Sequence, residues 1–216
     1  MSLDAVRAHA DSRKLELPRH AKLLCRELRN MLIAASDAGT LSTSHNEVYG
    51  LVRVLREPPP VVAEQLRARS IAGNACCVVG GEKNQDREHV VAHLKRNDDA
   101  WFDFTITVRE HARELELLAY NFEIRFPSAM GTPFLRFDYN LPGHENELRS
   151  HLHAGSDDVY MPAPMMSPAE LITLFTEHLR RPANREKWRD PTPFEIEWFR
   201  TTHEELAARG SRAHDL

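Results

Sequence analysis

Apolar positions recur every third or fourth residue from Leu24 through Leu28, Met31, Leu32 and Ala35, so residues 17–35 are expected to form an amphipathic helix that stops at Gly39. Ser44-His45-Asn46-Glu47 has the spacing of a capping box, in which the serine hydroxyl and the glutamate satisfy each other's free main-chain N–H groups. It predicts a second helix with Val48, Leu51, Val52 and Leu55 on one face, ended by Pro58-Pro59-Pro60. A third helix is expected from Val61 to Arg69, stopping near Gly73. Cys76–Val79 reads as a short buried strand and Glu88–Lys95 as a short helix.

The period changes at Trp101. Phe102, Phe104, Ile106 and Val108 alternate with Asp103, Thr105, Thr107 and Arg109, which is the pattern of a half-buried strand. Leu118, Tyr120, Phe122, Ile124 and Phe126 alternate again, and the doubled Leu117-Leu118 falls out of phase with Leu115, as a β-bulge would require. Leu135, Phe137 and Tyr139 interleave with Arg136, Asp138 and Asn140 in a third strand, giving an antiparallel meander. Ser167-Pro168-Ala169-Glu170 and Thr192-Pro193-Phe194-Glu195 are two more capped helix starts. The fold class expected is α+β: a helical N-terminal part (1–80), then an α+β part (81–216) in which the meander precedes two C-terminal helices. The two parts are either separate or one continuous domain, with the hinge falling in residues 80–100.

Composition narrows the function. With 28 basic against 32 acidic residues the net charge is -4, which does not mark a nonspecific nucleic-acid binder. No apolar run approaches the roughly 20 residues of a membrane span, and the charged N-terminus lacks a secretory core, so a cytoplasmic protein without membrane contact is expected. Three cysteines, Cys25, Cys76 and Cys77, have no CxxC spacing and sit among apolar neighbours, as small buried hydrophobes do. The first two helices resemble a helix-turn-helix in outline, but the second is nearly neutral and apolar, and a plain helical hairpin accounts for it better. His89 and His93 share the i, i+4 spacing of a helical metal pair in the order Glu-His-x-x-x-His, but a solvated helix face accounts for them better.

The chemistry concentrates between Phe134 and Tyr160. His144, His151 and His153 fall within ten residues, beside Arg136, Asp138, Asn140 and Arg149. Residues two apart on a strand project from the same face, so His151 and His153 present two imidazoles together. If the segment 148–155 pairs back along the preceding strand, Leu148 and Leu152 bury while the histidines meet Arg136 and Asp138 in a cleft. Three chemistries fit. A divalent metal would take His151, His153 and either Asp138 or His144. Metal-free phosphodiester cleavage would use one histidine as base and another as acid, with Arg136 or Arg149 on the developing charge. Plain anion recognition would use the same arginines with protonated histidine, and Asn140 is a further candidate substrate contact.

The sequence Arg136-Phe137-Asp138-Tyr139-Asn140, then Pro142, His144 and His151-Leu152-His153, resembles the core of TumE-like bacterial toxins and related small bacterial families. Carried over, the resemblance nominates Arg136, Asp138, His144, His151 and His153 as the site. It implies a toxin or defence role, an antitoxin or other protein partner, and nucleic acid as a substrate. The rival reading is a non-catalytic subunit or adaptor, docking through its N-terminal helices and the Trp198-Phe199 face of the last helix.

Overall fold

The structure, a computed structural model, describes residues 15–71, 73–82, 92–128, 131–143 and 148–179. Its centre is an antiparallel sheet, because the alternating segments are long and their connections are short. β4 (Trp101–Glu110) and β5 (Leu115–Arg125) pair along their whole length, with Phe104 opposite Phe122. Thr107 faces Ala119 while Val108 faces Leu117, so Leu118 is the extra residue of a bulge, where the doubled leucine placed it. β6 (Phe134–Tyr139) and β7 (Ser150–Ala154) continue the meander, and β8 (Tyr160–Pro162) closes it.

On the other side of β4 lie β2 (Ala75–Gly80) and β1 (Val52–Leu55), while the two-residue β3 (Leu94–Lys95) also pairs with β4. The order is β1-β2-β4-β5-β6-β7-β8, so the sheet takes strands from before residue 80 as well as after it. All described residues belong to one compact unit spanning 7–180.

The helices are α1 (Ala21–Asp37), α2 (His45–Leu51), α3 (Pro60–Ala68) and α4 (Pro168–Thr173), the last continued by a π-helical turn, Leu174–His178. Both capping boxes, at Ser44 and Ser167, form as the spacing predicts. The fold is α+β, with an N-terminal helix, a meander and helical turns after it. Two expectations are corrected. The helix after Ser44 ends at Leu51, and Val52–Leu55 is a strand, because residues 52 and 54 also satisfy a period of two and the edge of β2 offers main-chain partners. Leu94–Lys95 is strand rather than helix; the rest of that expected helix, with His89, lies outside the described residues. The helix expected from Thr192, with Trp198 and Phe199, lies outside them too.

The sheet's two faces differ in kind. On one, Phe175 of the π-helical turn packs its ring against Phe102, Phe122 and Phe137, making an aromatic wall. On the other face, α3 packs at one end, where Leu66 meets Leu118 and Leu141. Beyond α3 that second face carries polar side chains, and these make the site.

Candidate metal centre

The strand registers set polar residues in two rows across the second face. One row runs Thr105, Asn121, Asp138, His151; the next runs Asp103, Glu123, Arg136, His153. Neighbouring strands lie about 4.8 Å apart, so each side chain is within reach of the next in its row and of the adjacent row. The rows form the floor of a cleft of about 710 Å³, and Val61, Val62 and Gln65 of α3 form one wall.

At the β6–β7 end Asp138, His151 and His153 are all buried, and each offers a ligand atom lying within 4.8 Å of the others. Asp138 Oδ2 is 3.6 Å from His151 Nε2 and 3.5 Å from His153 Nε2. A hydrogen bond orients one ring, and burial acts on the other. His151 Nδ1 is 2.6 Å from the Leu148 carbonyl oxygen. A carbonyl only accepts, so Nδ1 carries the hydrogen, and in the neutral ring the Nε2 lone pair faces the carboxylate. Burial lowers the His153 pKa, helped by the charge of Arg136 and by His151 against the opposing pull of Asp138, which favours its neutral, ligating form.

An imidazolium bonded to a carboxylate would close to about 2.7–2.9 Å. The observed separations are longer than that. They match the edge of a tetrahedron whose ligands each stand about 2.1 Å from a central divalent ion, an edge of about 3.4 Å. Two imidazole nitrogens and one carboxylate oxygen, opening onto a cleft, are a three-ligand set of the kind that leaves further positions for water or substrate.

Asp138 is held by its neighbours. Arg136 Nε donates to Oδ2 at 2.8 Å, and Asn121 Nδ2 donates to Oδ1. Arg136 also reaches Asp157 at 2.5 Å through Nη1, with Glu123 at 3.8 Å; against the cost of its burial, Asp138 first and then Asp157 keep its guanidinium firmly charged. Tyr160, across from His153 on β8, lays its ring beside both imidazoles, with centroids 5.4 and 5.9 Å away.

The structure therefore places Arg136, Asp138, His151 and His153 together. Asn140 lines the cleft, with its amide 3.5 Å from the Leu148 carbonyl. Arg149, expected to bind an anion, turns elsewhere: it donates to the Asn140 and Leu118 carbonyls, and its guanidinium covers the Tyr139 ring at 4.1 Å. His144 lies outside the described residues. His93 is buried and stacks on Trp101 at 4.4 Å, so it does not present a ligand on an exposed helix face. Sequence reasoning missed Asn121, Glu123, Asp103 and Asp157. The first three were signalled by the strand alternation, since with Phe104 and Phe122 in the core they must share the face of Asp138. Asp157 carried no such signal, because it sits in the loop after β7.

Among the described residues no helix is long and apolar enough to cross a membrane. Comparison with protein-family models, curated proteins and solved structures finds no match to this chain. What the fold and site define is a class: an α+β protein with a His-His-Asp constellation on the open face of an antiparallel sheet.

Proposed function

We propose that this protein is a metal-dependent hydrolase acting on a phosphodiester, with Asp138, His151 and His153 as the ligands of a divalent ion. The observation that carries the reading is the spacing of 3.5 and 3.6 Å between the Asp138 oxygen and two imidazole nitrogens, with the His151 ring oriented by its Nδ1 contact to the Leu148 carbonyl. When bound, such an ion would acidify a water towards neutral pH and neutralise charge on the ester.

The electrostatics of the cleft favour this over metal-free chemistry. Among the described residues four carboxylates line it, Asp103, Glu123, Asp138 and Asp157, against the guanidinium of Arg136, with Arg125 paired to Glu123 beside it. An anionic ester entering such a cleft meets net repulsion unless a cation offsets it. Arg136 stands next to the ligand set and directs a fixed fork of donors at the same space, so it suits a phosphoryl oxygen once Asp157 gives way. Asp157 has a half-exposed side chain at the cleft mouth, where exchange of one partner for another costs little. A toxin-like or defence role is the biological setting in which this chemistry fits the Arg-aromatic-Asp and His-x-His pattern, with nucleic acid as the source of the ester.

The test is metal content by mass spectrometry on untagged protein, beside hydrolysis of bis(p-nitrophenyl) phosphate with Zn²⁺, Mn²⁺ or Co²⁺ added. About one equivalent of metal in the wild type, lost together with hydrolysis in His151→Ala/His153→Ala, is the expected result. Metal binding that survives the double substitution would sink the reading.

A further inference from the structure

Asn121 sits one strand from Asp138 and pairs with it in register, half-buried on the cleft floor. Its amide nitrogen donates to Asp138 Oδ1. Its amide oxygen is buried and has no hydrogen-bond partner among the described residues. A purely structural amide is expected to use both ends, because an oxygen buried without a partner loses its hydration and gains nothing in return. Here one end is left bare while the other holds a carboxylate.

The geometry around Asp138 shows what that bond does. Arg136 Nε already draws on Oδ2, the oxygen that faces both histidines. A guanidinium beside a carboxylate tends towards the two-pronged fork, taking both oxygens. Torsion about the bond between Cβ and the carboxyl group is broad and weakly held by itself. With Oδ1 tethered to Asn121, the carboxylate cannot turn to present both oxygens to Arg136, and Oδ2 stays between the imidazoles.

We infer that Asn121 is a positioning residue of the ion site, holding the Asp138 carboxylate in its ligating orientation against the pull of Arg136. This rests on the ion-site reading above. Outer partners of metal ligands typically change affinity by about 10–100-fold when removed.

The experiment is a Co²⁺ titration followed by visible absorption, which reports ligand geometry as well as affinity, on the wild type, Asn121→Leu, Asn121→Ala and Ser44→Ala. Asn121→Leu keeps the size of the side chain and removes the donor. Asn121→Ala decides the matter if the leucine variant does not fold. Ser44 caps a helix and does not line the cleft, so Ser44→Ala controls for a general loss of stability. The expected outcome is affinity lowered about 10–100-fold with an altered absorption band in the Asn121 variants, and an unchanged titration in Ser44→Ala. Binding in the Asn121 variants within about twofold of wild type, with the same band, would overturn the inference while leaving the ion site standing. No Co²⁺ band in the wild type would overturn the ion site itself, and the inference with it.

Discussion

Single residues here are constrained for different reasons on the two faces of one sheet. Gly80 ends β2 opposite Phe104, and a β-carbon added there would fall inside the Phe104 ring. That ring is buried and stacked on Phe122 at 4.9 Å, so it has nowhere to go. Gly80→Ala should therefore destabilise the fold by about 1–3 kcal/mol or more, read as a lowered denaturation midpoint at unchanged m-value. On the polar face the effect of substitution runs the other way. His151→Ala should abolish metal uptake while leaving the far-ultraviolet circular dichroism spectrum intact, because secondary structure depends on the sheet ladder and the opposite apolar face. Loss of the folded spectrum in that variant would instead give His151 a structural role, through its hydrogen bond to the Leu148 carbonyl.

At the scale of elements, the ends of helices carry the specific interactions. Ser44 and Ser167 each accept from the main-chain N–H three residues on, and Glu47 and Glu170 return the bond. Ser44→Ala should cost about 1 kcal/mol, checked by chemical denaturation. At the other end of α4, Arg96 inserts a buried guanidinium that donates to the Phe175 carbonyl at 2.6 Å and the Leu179 carbonyl at 2.5 Å, while Asp98 balances its charge. This closes the π-helical turn and keeps Phe175 seated on the sheet. Arg96→Met should destabilise by about 2–4 kcal/mol, since it strips the buried Phe175 carbonyl, the part-buried Leu179 carbonyl and Asp98 of their partner at once. Little change in the midpoint would show that water replaces the guanidinium. The elements legible beforehand were those whose signal is local. The capping boxes, the three strands of the meander and the bulge at Leu118 all follow from spacing alone. β1 was not legible, because Val52, Arg53, Val54 and Leu55 continue the helical stripe of Val48 and Leu51 equally well. Pairing with the edge of β2 decided it.

Across the whole molecule, buried titrating groups set the alkaline limit of stability. Burial pushes the Cys76 thiol up to about 11, with Glu110 and Cys77 adding to it, and raises Cys77 and Cys25 for the same first reason. Burial pushes Tyr120 up to about 12. An unfolded chain releases its thiol protons near about pH 8.5, whereas the folded chain keeps them to higher pH. Above that point the unfolded state binds fewer protons, so stability is full below about pH 8.5 and falls as pH rises towards 11. A denaturation midpoint that decreases steadily over this window is expected, with thiol reagents reacting slowly in the native protein at neutral pH. A flat profile would show that the three thiols reach solvent in the folded state.

The sequence by itself determined the α+β class, the alternation that gives the sheet one apolar and one polar face, and the pairing of His151 with His153 on a common side, because these depend on periods of two and 3.6 and on caps within a few residues. Only the tertiary structure decided which residues share the cleft. Register brought Asn121 beside Asp138 and Glu123 beside Arg136 from strands over ten residues distant, and it turned Arg149 away onto Tyr139. Local spacing cannot encode this, because it fixes which face a side chain takes, while cross-strand hydrogen bonding fixes which neighbour it meets there.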